Sequence, residues 1–510
     1  MSNYSENNKK LAQNTLYLYL RSVLLIVISL YTTRLTLQAL GVDDFGVFNV
    51  VGGVVAILST INGAMSGAAS RFIAYELGVD RVKRRLNETY STIFFIHIVL
   101  AAIIFLFGET IGLWFVKEKL VIPAGREEAT MICYQCSLII SLLTIISVPY
   151  NALIVGYEKM KIFAYITTAE GMLRLLVAVL LFYGNFDRLV FYSFLMVFVQ
   201  IVILLTYKLY CKQNFREVSL TLKYDSVLIK KIASFAGWTF NGQLAVMGYT
   251  QGVNILMNIF FGPVVNAARG ISYQVQSASR ILVNNFQIAI RPQMIKTWAE
   301  GDVQYMHKLV VYSSKYSFFL TALTVFPLLC TVSPILNIWL GNVPEHTVEF
   351  VKIILYSMFV DSFCHGMIVS VHATGNIKRF QIMEGGLLLS IVPLSYIFLK
   401  YFDCSAEQVM WVYVYVQVLT QLVRMYIALP QIQMKWNYYI RNVFPRTILV
   451  FIMLLIPCLE FSLPTDAGLL WISGALLTSF VFSFFVIICI GLNNGERNLV
   501  FSYIKRRLKL

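Results

Sequence analysis

Seven polar residues, Arg269, Tyr273, Gln276, Arg280, Asn284, Gln287 and Arg291, follow one another at spacings of four, three, four, four, three and four. At about 100° per helical residue they stay within a sector of roughly 80°, while Ile271, Val275, Ala278, Leu282, Phe286 and Ala289 fall outside it. Three of the seven are arginines, whose planar fork of donors suits phosphate or carboxylate oxygens and gains strength in a low-dielectric setting. The chemistry this pattern offers is recognition of an anion, not bond making. At 1.5 Å rise per residue the stripe is about 33 Å long, close to the hydrocarbon thickness of a bilayer, with Arg280 near its middle. An arginine there costs about 2.5 to 3.5 kcal/mol on insertion scales, so it is expected to face a watery cavity or a partner. The alternative is a buried helix contact whose arginines pair with acids on neighbouring helices.

A stripe of that length needs membrane-spanning elements to carry it, and the composition supplies them. The 510 residues are 58% hydrophobic and 13% charged, with a mean hydropathy of +0.71, which puts the chain in the all-α polytopic membrane class. Apolar runs read as fourteen helices near 12–39, 45–78, 88–116, 127–156, 162–183, 188–211, 228–260, 264–291, 307–332, 348–374, 380–401, 406–430, 441–461 and 466–491. The polar start, MSNYSENNKK, leads into a first span too long for a removable signal peptide and without a small-residue cleavage site. The net charge of +15 lies mainly in short loops, as orientation signals do, so anionic lipid and not nucleic acid is the expected neighbour. Eight cysteines show no disulfide framework, and Cys133 and Cys136, a lone CxxC on a helix, read as packing.

The chain also repeats itself at an offset of about 214 to 223 residues, or six helices. Lys161-Ile162-Phe163 recurs as Lys378-Arg379-Phe380, Glu170-Gly171 as Glu384-Gly385, Val199-Gln200 as Val416-Gln417, and Gly78 before Asp80 as Gly301 before Asp302. Six is even, so the halves keep one orientation and are expected to be related by an axis along the membrane normal, with a site between them. The expected domains are a six-helix lobe at 1–211, a basic cytoplasmic linker at 212–227, a second six-helix lobe at 228–430, and two extra helices with a basic tail at 431–510.

Within the spans lie nine basic residues, Arg21, Arg34, Arg71, Arg174, Arg269, Arg280, Lys315, Lys352 and Arg424, against four acids, Glu76, Glu170, Asp361 and Glu384. Glu170 and Arg174 are four apart in the favourable order and read as a local pair; the remaining positive charge is not expected to cancel. Span seven adds Ser234, Asn241, Gly248, Gln251, Asn254 and Asn258 on a neutral polar face, and span twelve adds Tyr413, Gln417, Gln421 and Arg424. Arg34 is read either as part of the polar interior or as snorkelling to the outer interface. Amides, tyrosines and serines beside arginines suit a guest that combines an anionic group with sugar hydroxyls. Asp361 and His365, four apart, read either as a protonation pair for coupling or as an interior hydrogen bond. The five histidines form no recognised metal or catalytic spacing and there is no phosphate-binding GxxxxGK[ST] loop, so no enzyme, metal or cofactor is expected.

Several runs resemble a known family. Arg21, Ser29-Leu30-Tyr31-Thr32 with Arg34, LGVDDFGVFNVVGGVV from Leu40 to Val55, Asn62-Gly63-Ala64-Met65, Arg71-Phe72 and Glu76-Leu77-Gly78 resemble the opening of polysaccharide-biosynthesis flippases. NAARGISYQVQ from Asn266 to Gln276, with Arg291-Pro292-Gln293, is similar to the same group. These are the O-antigen and lipid-linked oligosaccharide flippases of the multidrug, oligosaccharidyl-lipid and polysaccharide exporter superfamily. The resemblance implies two six-helix lobes around a cavity, two further helices, and alternating access that carries an undecaprenyl-pyrophosphate-linked glycan outward across the bacterial inner membrane. It implies cavity roles for Arg21, Arg71, Arg269, Arg280 and Arg291, and as partners membrane lipids and the glycan polymerase and chain-length proteins of the pathway. Two other functions are weighed against it. A cation-coupled multidrug exporter of the same superfamily calls for acids facing a cationic guest, and a membrane-embedded glycan polymerase or ligase calls for a large outer loop.

Orientation follows from charge. Of the 41 lysines and arginines, the nine above lie within spans and five, Lys117, Lys119, Arg126, Arg188 and Lys400, in outer loops, leaving 27 on the side that holds both termini. The positive-inside rule makes that side the cytosol. A reporter fused after Leu510 is expected to be active only in the cytosol and one inserted in the 333–347 loop only outside; reversed labelling overturns this topology.

Overall fold

Two glycines interrupt helices at corresponding places in the chain. In the computed structural model, Gly41 (φ 78°, ψ 173°) breaks the long helix α1 (Ser2–Val79), and Gly262 (φ 83°, ψ −172°) separates α7 (Ser226–Phe261) from α8 (Pro263–Ser279). Both conformations put φ in the region that lacks a steric penalty only for glycine, and the 221 residues between them lie inside the repeat offset. Pro263 then opens α8 at a position where its missing N–H costs nothing. The structure describes residues 2–79, 84–118, 122, 125–183, 187–220, 225–340, 343–460 and 468–498. The basic tail beyond Asn498 and the centre of the expected linker, 221–224, lie outside the described residues.

The chain divides into two compact units, residues 1–240 with 291–301, and residues 241–290 with 302–510. The first division by contacts falls inside α7, whose Phe235 packs on Phe72 in the first unit. In that unit α1 packs on α4 (Glu127–Gly156) and α5 (Met160–Leu180), α4 on α6 (Arg188–Asn214), and α2 (Arg84–Phe107) on α4. A π-helical turn, Gly108–Gly112, joins α2 to the short α3 (Leu113–Glu118). Gly171 of α5 lets that helix close on Leu25 of α1.

The second unit takes the end of α7, α8, most of α9 (Ile281–Ala299), α10 (Val303–Leu340), α11 (Thr347–Ser362), α12 (His365–Thr374), α13 (Lys378–Tyr401) and α14 (Ala406–Gln431). Here α8 packs on α11, α11 on α14, α13 on α14 and α10 on α11, and Gly385 of α13 meets Ala245 of α7. Thus Gly171 and Gly385, matched in the sequence repeat, each seat a helix against the helix that opens its repeat. Ser405 and Gln408 form a reciprocal capping box that starts α14. The last two helices, α15 (Trp436–Glu460) and α16 (Leu469–Val486), pack on α10 in this unit.

Eleven of the described helices are long and apolar enough to cross a membrane, twelve when α11 and α12, bent by 48°, count as one. The chain is therefore a multi-pass membrane protein. Of the two other expected spans, 264–291 is divided at Arg280 into α8, 17 residues long, and α9, which is more polar than the counted spans, and side chains within 45–78 lie outside the described residues. The expected straight helix over 264–291 also differs: a turn at Arg280 separates α8 from α9, although the Arg280 and Asn284 amides still donate to Gln276 and Arg280 carbonyls.

Past α16, a π-helical turn at Ile487–Gly491 leads to a segment that folds back on α10. There Glu496 accepts from Lys315 Nζ at 2.6 Å, with only 3% of the lysine and 7% of the glutamate side chain exposed. Glu496 also accepts from the Asn493 amide at 2.8 Å. Removing one partner strands the other charge out of water, at a cost of about 3 to 5 kcal/mol, whereas replacing both with apolar residues is close to neutral. Glu496→Gln is therefore expected to lower the thermal midpoint in detergent, and Lys315→Met with Glu496→Leu to recover most of the loss. Additive losses in the double variant would rule out the pair as the reason.

Candidate functional site

The polar stripe is divided among neighbours and does not present one continuous face. Arg269, buried on α8, donates to the Thr250 carbonyl at 2.9 Å, Asn254 Oδ1 at 3.2 Å and Tyr273 Oη at 3.2 Å, and its guanidinium lies 4.8 Å from the Tyr273 ring. Among the described residues it has no carboxylate partner and its Nε has no hydrogen bond. Gln276 is buried. Gln287 reaches α10, where Ser313 Oγ donates to its Oε1 at 3.0 Å and its Nε2 donates to Ser317 Oγ at 2.5 Å. Asn284 and Arg291 are exposed, and Arg291 falls in the first unit with Pro292 just beyond it.

Arg280 at the turn donates to Asp361 Oδ2 on α11 at 3.2 Å, with 35% of its own side chain exposed. Asp361 Oδ1 accepts from Arg424 Nη1 at 2.7 Å. Arg424, on α14 and only 6% exposed, also donates to Glu384 Oε1 from Nη2 at 2.6 Å and from Nε at 2.9 Å, and to Gln421 Oε1 at 3.1 Å. Two arginines and two carboxylates thus form one neutral cluster on four helices. Part of the interior basic charge is thereby cancelled, since Asp361, Glu384 and Glu496 take up Arg280, Arg424 and Lys315, while Arg269 keeps no carboxylate partner among the described residues. It also changes the reading of Asp361 with His365, because both oxygens of Asp361 are engaged by arginines. Glu384 was legible as an intramembrane acid but not as the partner of Arg424. A signal existed, because its repeat match Glu170 has Arg174 four residues on, whereas Glu384 has Leu388 and must find a cation on another helix.

Of the other expected site residues, Asn241 and Gln251 on α7 are exposed, and Asn254 serves Arg269. In the first unit Arg21 is half-buried, 5.0 Å from the Phe163 ring, with its Nε unbonded. Arg71 is buried among Phe72, Tyr75 and Phe235, at 4.7, 5.4 and 5.2 Å from the three rings. Arg34 is exposed. At one end of this unit, outside the spans, Arg126 donates to Asp44 Oδ1 at 2.7 Å and is paired with Asp187. The hydrogen bonds from Arg126 hold the Asp187 carboxyl below its usual range.

These geometries can bind and exchange charged groups. Among the described residues no three or more His, Cys, Asp or Glu side chains are grouped to hold a metal ion, and Cys133 and Cys136 are buried in α4. Similar architecture occurs in solved structures. An outward-facing multidrug resistance MATE family transporter of the MOP superfamily superposes with a TM-score of 0.72 at 13% identity, covering 84% of this chain and 96% of that one. The fold is that of the MATE transporters. A MATE protein in a bent conformation gives 0.72 at 13% identity with the same coverage. A MOP superfamily transporter from Pyrococcus furiosus, described as having a binding pocket of reverse polarity that suggests a different function, gives 0.70 at 14% identity, again covering 84% and 96%. No protein-family profile matches the chain. The uncharacterized membrane protein EpsK of Bacillus subtilis (strain 168) is 20% identical over 325 residues, 62% of this chain, and the match spans 63% of that relative's length.

Glu170 and Arg174 do form the expected pair on α5, Oε1 to Nη2 at 2.7 Å, with both side chains partly exposed. Reversing both charges is expected to restore much of the accumulation or function lost by either single reversal. Two independent losses that add in the double variant would show separate roles.

Proposed function

We propose that the chain is a flippase that carries a polyprenyl-pyrophosphate-linked oligosaccharide across the bacterial inner membrane by alternating access. The observation that carries the reading is the disposition of charge in the second unit. Its buried carboxylates Asp361 and Glu384 are both held by Arg424, while Arg280 keeps a third of its side chain open and Arg269 is held only by neutral oxygens. A cationic guest would find its acids already taken. An anionic one would find donors, and Asn241 and Gln251 on α7 with Tyr273 on α8 suit hydroxyls. In this reading 45–78 and 264–291 also cross the bilayer, completing fourteen spans in two pseudo-repeats with two further helices, and both termini are cytosolic. Arg21, Arg71 and Arg291 serve the same anion along its path, and the polymerase and chain-length proteins of glycan assembly are the partners.

The second reading is a cation-coupled multidrug exporter, and taken by themselves the comparisons favour it, since the matched structures are MATE proteins and one is named for multidrug resistance. Asp361 and Glu384 would then be its coupling groups. The fold admits the other polarity as well, as the description of the Pyrococcus furiosus transporter indicates.

Arg280→Gln leaves Asp361 paired with Arg424, so the variant is expected to accumulate normally. Losing one charged hydrogen-bond partner is worth about 1.5 to 3 kcal/mol, or roughly one to two orders of magnitude in binding. Flipping of a labelled lipid-linked glycan in proteoliposomes is expected to fall accordingly, and Arg280→Lys, which keeps the charge without the fork, to be intermediate. Full flipping in Arg280→Gln rejects the assignment. Reduced accumulation of a cationic dye in cells making the protein, with no glycan flipping, establishes the exporter instead.

A further inference from the structure

We infer that Asp361 is an internal stand-in for the guest's anion: it holds Arg280 while the site is empty and yields it when an anionic group arrives. The inference rests on the anionic guest proposed above. Its basis is the unequal grip of the cluster on its two arginines. Arg424 is nearly fully buried and makes bonds of 2.6 to 2.9 Å to two carboxylates. Arg280 makes one bond of 3.2 Å to one carboxylate and keeps 35% of its side chain exposed. Asp361 uses separate oxygens, Oδ1 for Arg424 and Oδ2 for Arg280.

Release of Arg280 therefore leaves Asp361 still paired with Arg424, and no carboxylate is stranded in the interior. An arginine with no counter-ion at this depth would be costly, and one locked between two acids could not take a ligand. Arg280 sits between these extremes, always paired but with an exchangeable partner. A pyrophosphate that takes the arginine gains a charged hydrogen bond and must break the one to Asp361, so net affinity is held down, which favours release on the far side. The conformational readiness is set by Asp361, a positioning residue that does not itself touch the guest.

The test measures binding of farnesyl pyrophosphate and of inorganic pyrophosphate to the purified full-length protein in detergent. Asp361→Asn removes the competitor and is expected to tighten binding of both about tenfold. Glu384→Gln adds the same unit of positive charge to the cluster but leaves Arg280 untouched, and is expected to change binding less than about threefold. In the Arg280→Gln background the gain from Asp361→Asn should vanish. Unchanged or weaker binding in Asp361→Asn, or an equal gain in Glu384→Gln, overturns the stand-in role. Wild-type binding that Arg280→Gln does not weaken overturns the flippase site itself, which is a separate result. If Asp361→Asn does not accumulate, Asp361→Glu keeps the charge with a longer arm and should bind no more tightly than wild type; tighter binding there also overturns the inference.

Discussion

The Arg424 guanidinium, buried between Glu384 and Asp361, is the interaction on which the second unit depends. It joins α14 to α13 and α11, and through Asp361 reaches the turn between α8 and α9. In a membrane interior none of its members is tolerable alone: each carboxylate or guanidinium would have to lose its charge or draw in water. Together they are neutral and hydrogen-bonded, so the cluster fixes which faces of four helices meet. A fully apolar contact could pack as well, but it would not define register in a setting where lipid tails are as apolar as the helices.

The same constraint explains where irregular backbone occurs. Gly41 and Gly262 break the chain between spans, whereas Arg280 lies at a turn between α8 and α9, and α11 bends into α12 beside Asp361, within them. Interruptions inside a bilayer survive where protein, not lipid, surrounds them. The bend after Ser362 is held by its surroundings: Gly366 N donates to Ser314 Oγ at 3.1 Å, and Tyr439 Oη donates to the Phe363 carbonyl at 2.7 Å. Within the second unit the turn at Arg280 and the bend after Ser362 thus both adjoin the buried ion cluster.

Much of this was legible in the residues, and the remainder was hidden for identifiable reasons. Apolar runs located the helices, and Glu170 with Arg174 could be paired because both partners sit on one helix, where spacing alone brings them together. The partners of Arg280, Arg424 and Lys315 lie 81, 40 to 63 and 181 residues away, and no local rule specifies them. Glu496 was further concealed by position, since it follows the last apolar run and reads as a cytosolic acid. The polar stripe on α8 and α9 was correctly periodic, but periodicity gives a face and not what the face meets. Its members turn out to serve α7, α10 and α11 separately.

That division bears on how one fold can serve guests of opposite charge. Polarity in such a site is not the sum of the acids and bases in its helices, because pairs that neutralise one another contribute little field at a distance. What a guest meets is the residue left open after the internal pairs are made. Here the fully enclosed member is Arg424 and the partly open one is Arg280, so the accessible edge of a neutral cluster is cationic. Exchanging which arginine is enclosed, or lengthening the acid that holds Arg280, would change that edge without altering the charge count. For the anionic guest proposed here, the polarity of the site would therefore be set by the burial of individual ion-pair partners, a property that composition alone does not reveal.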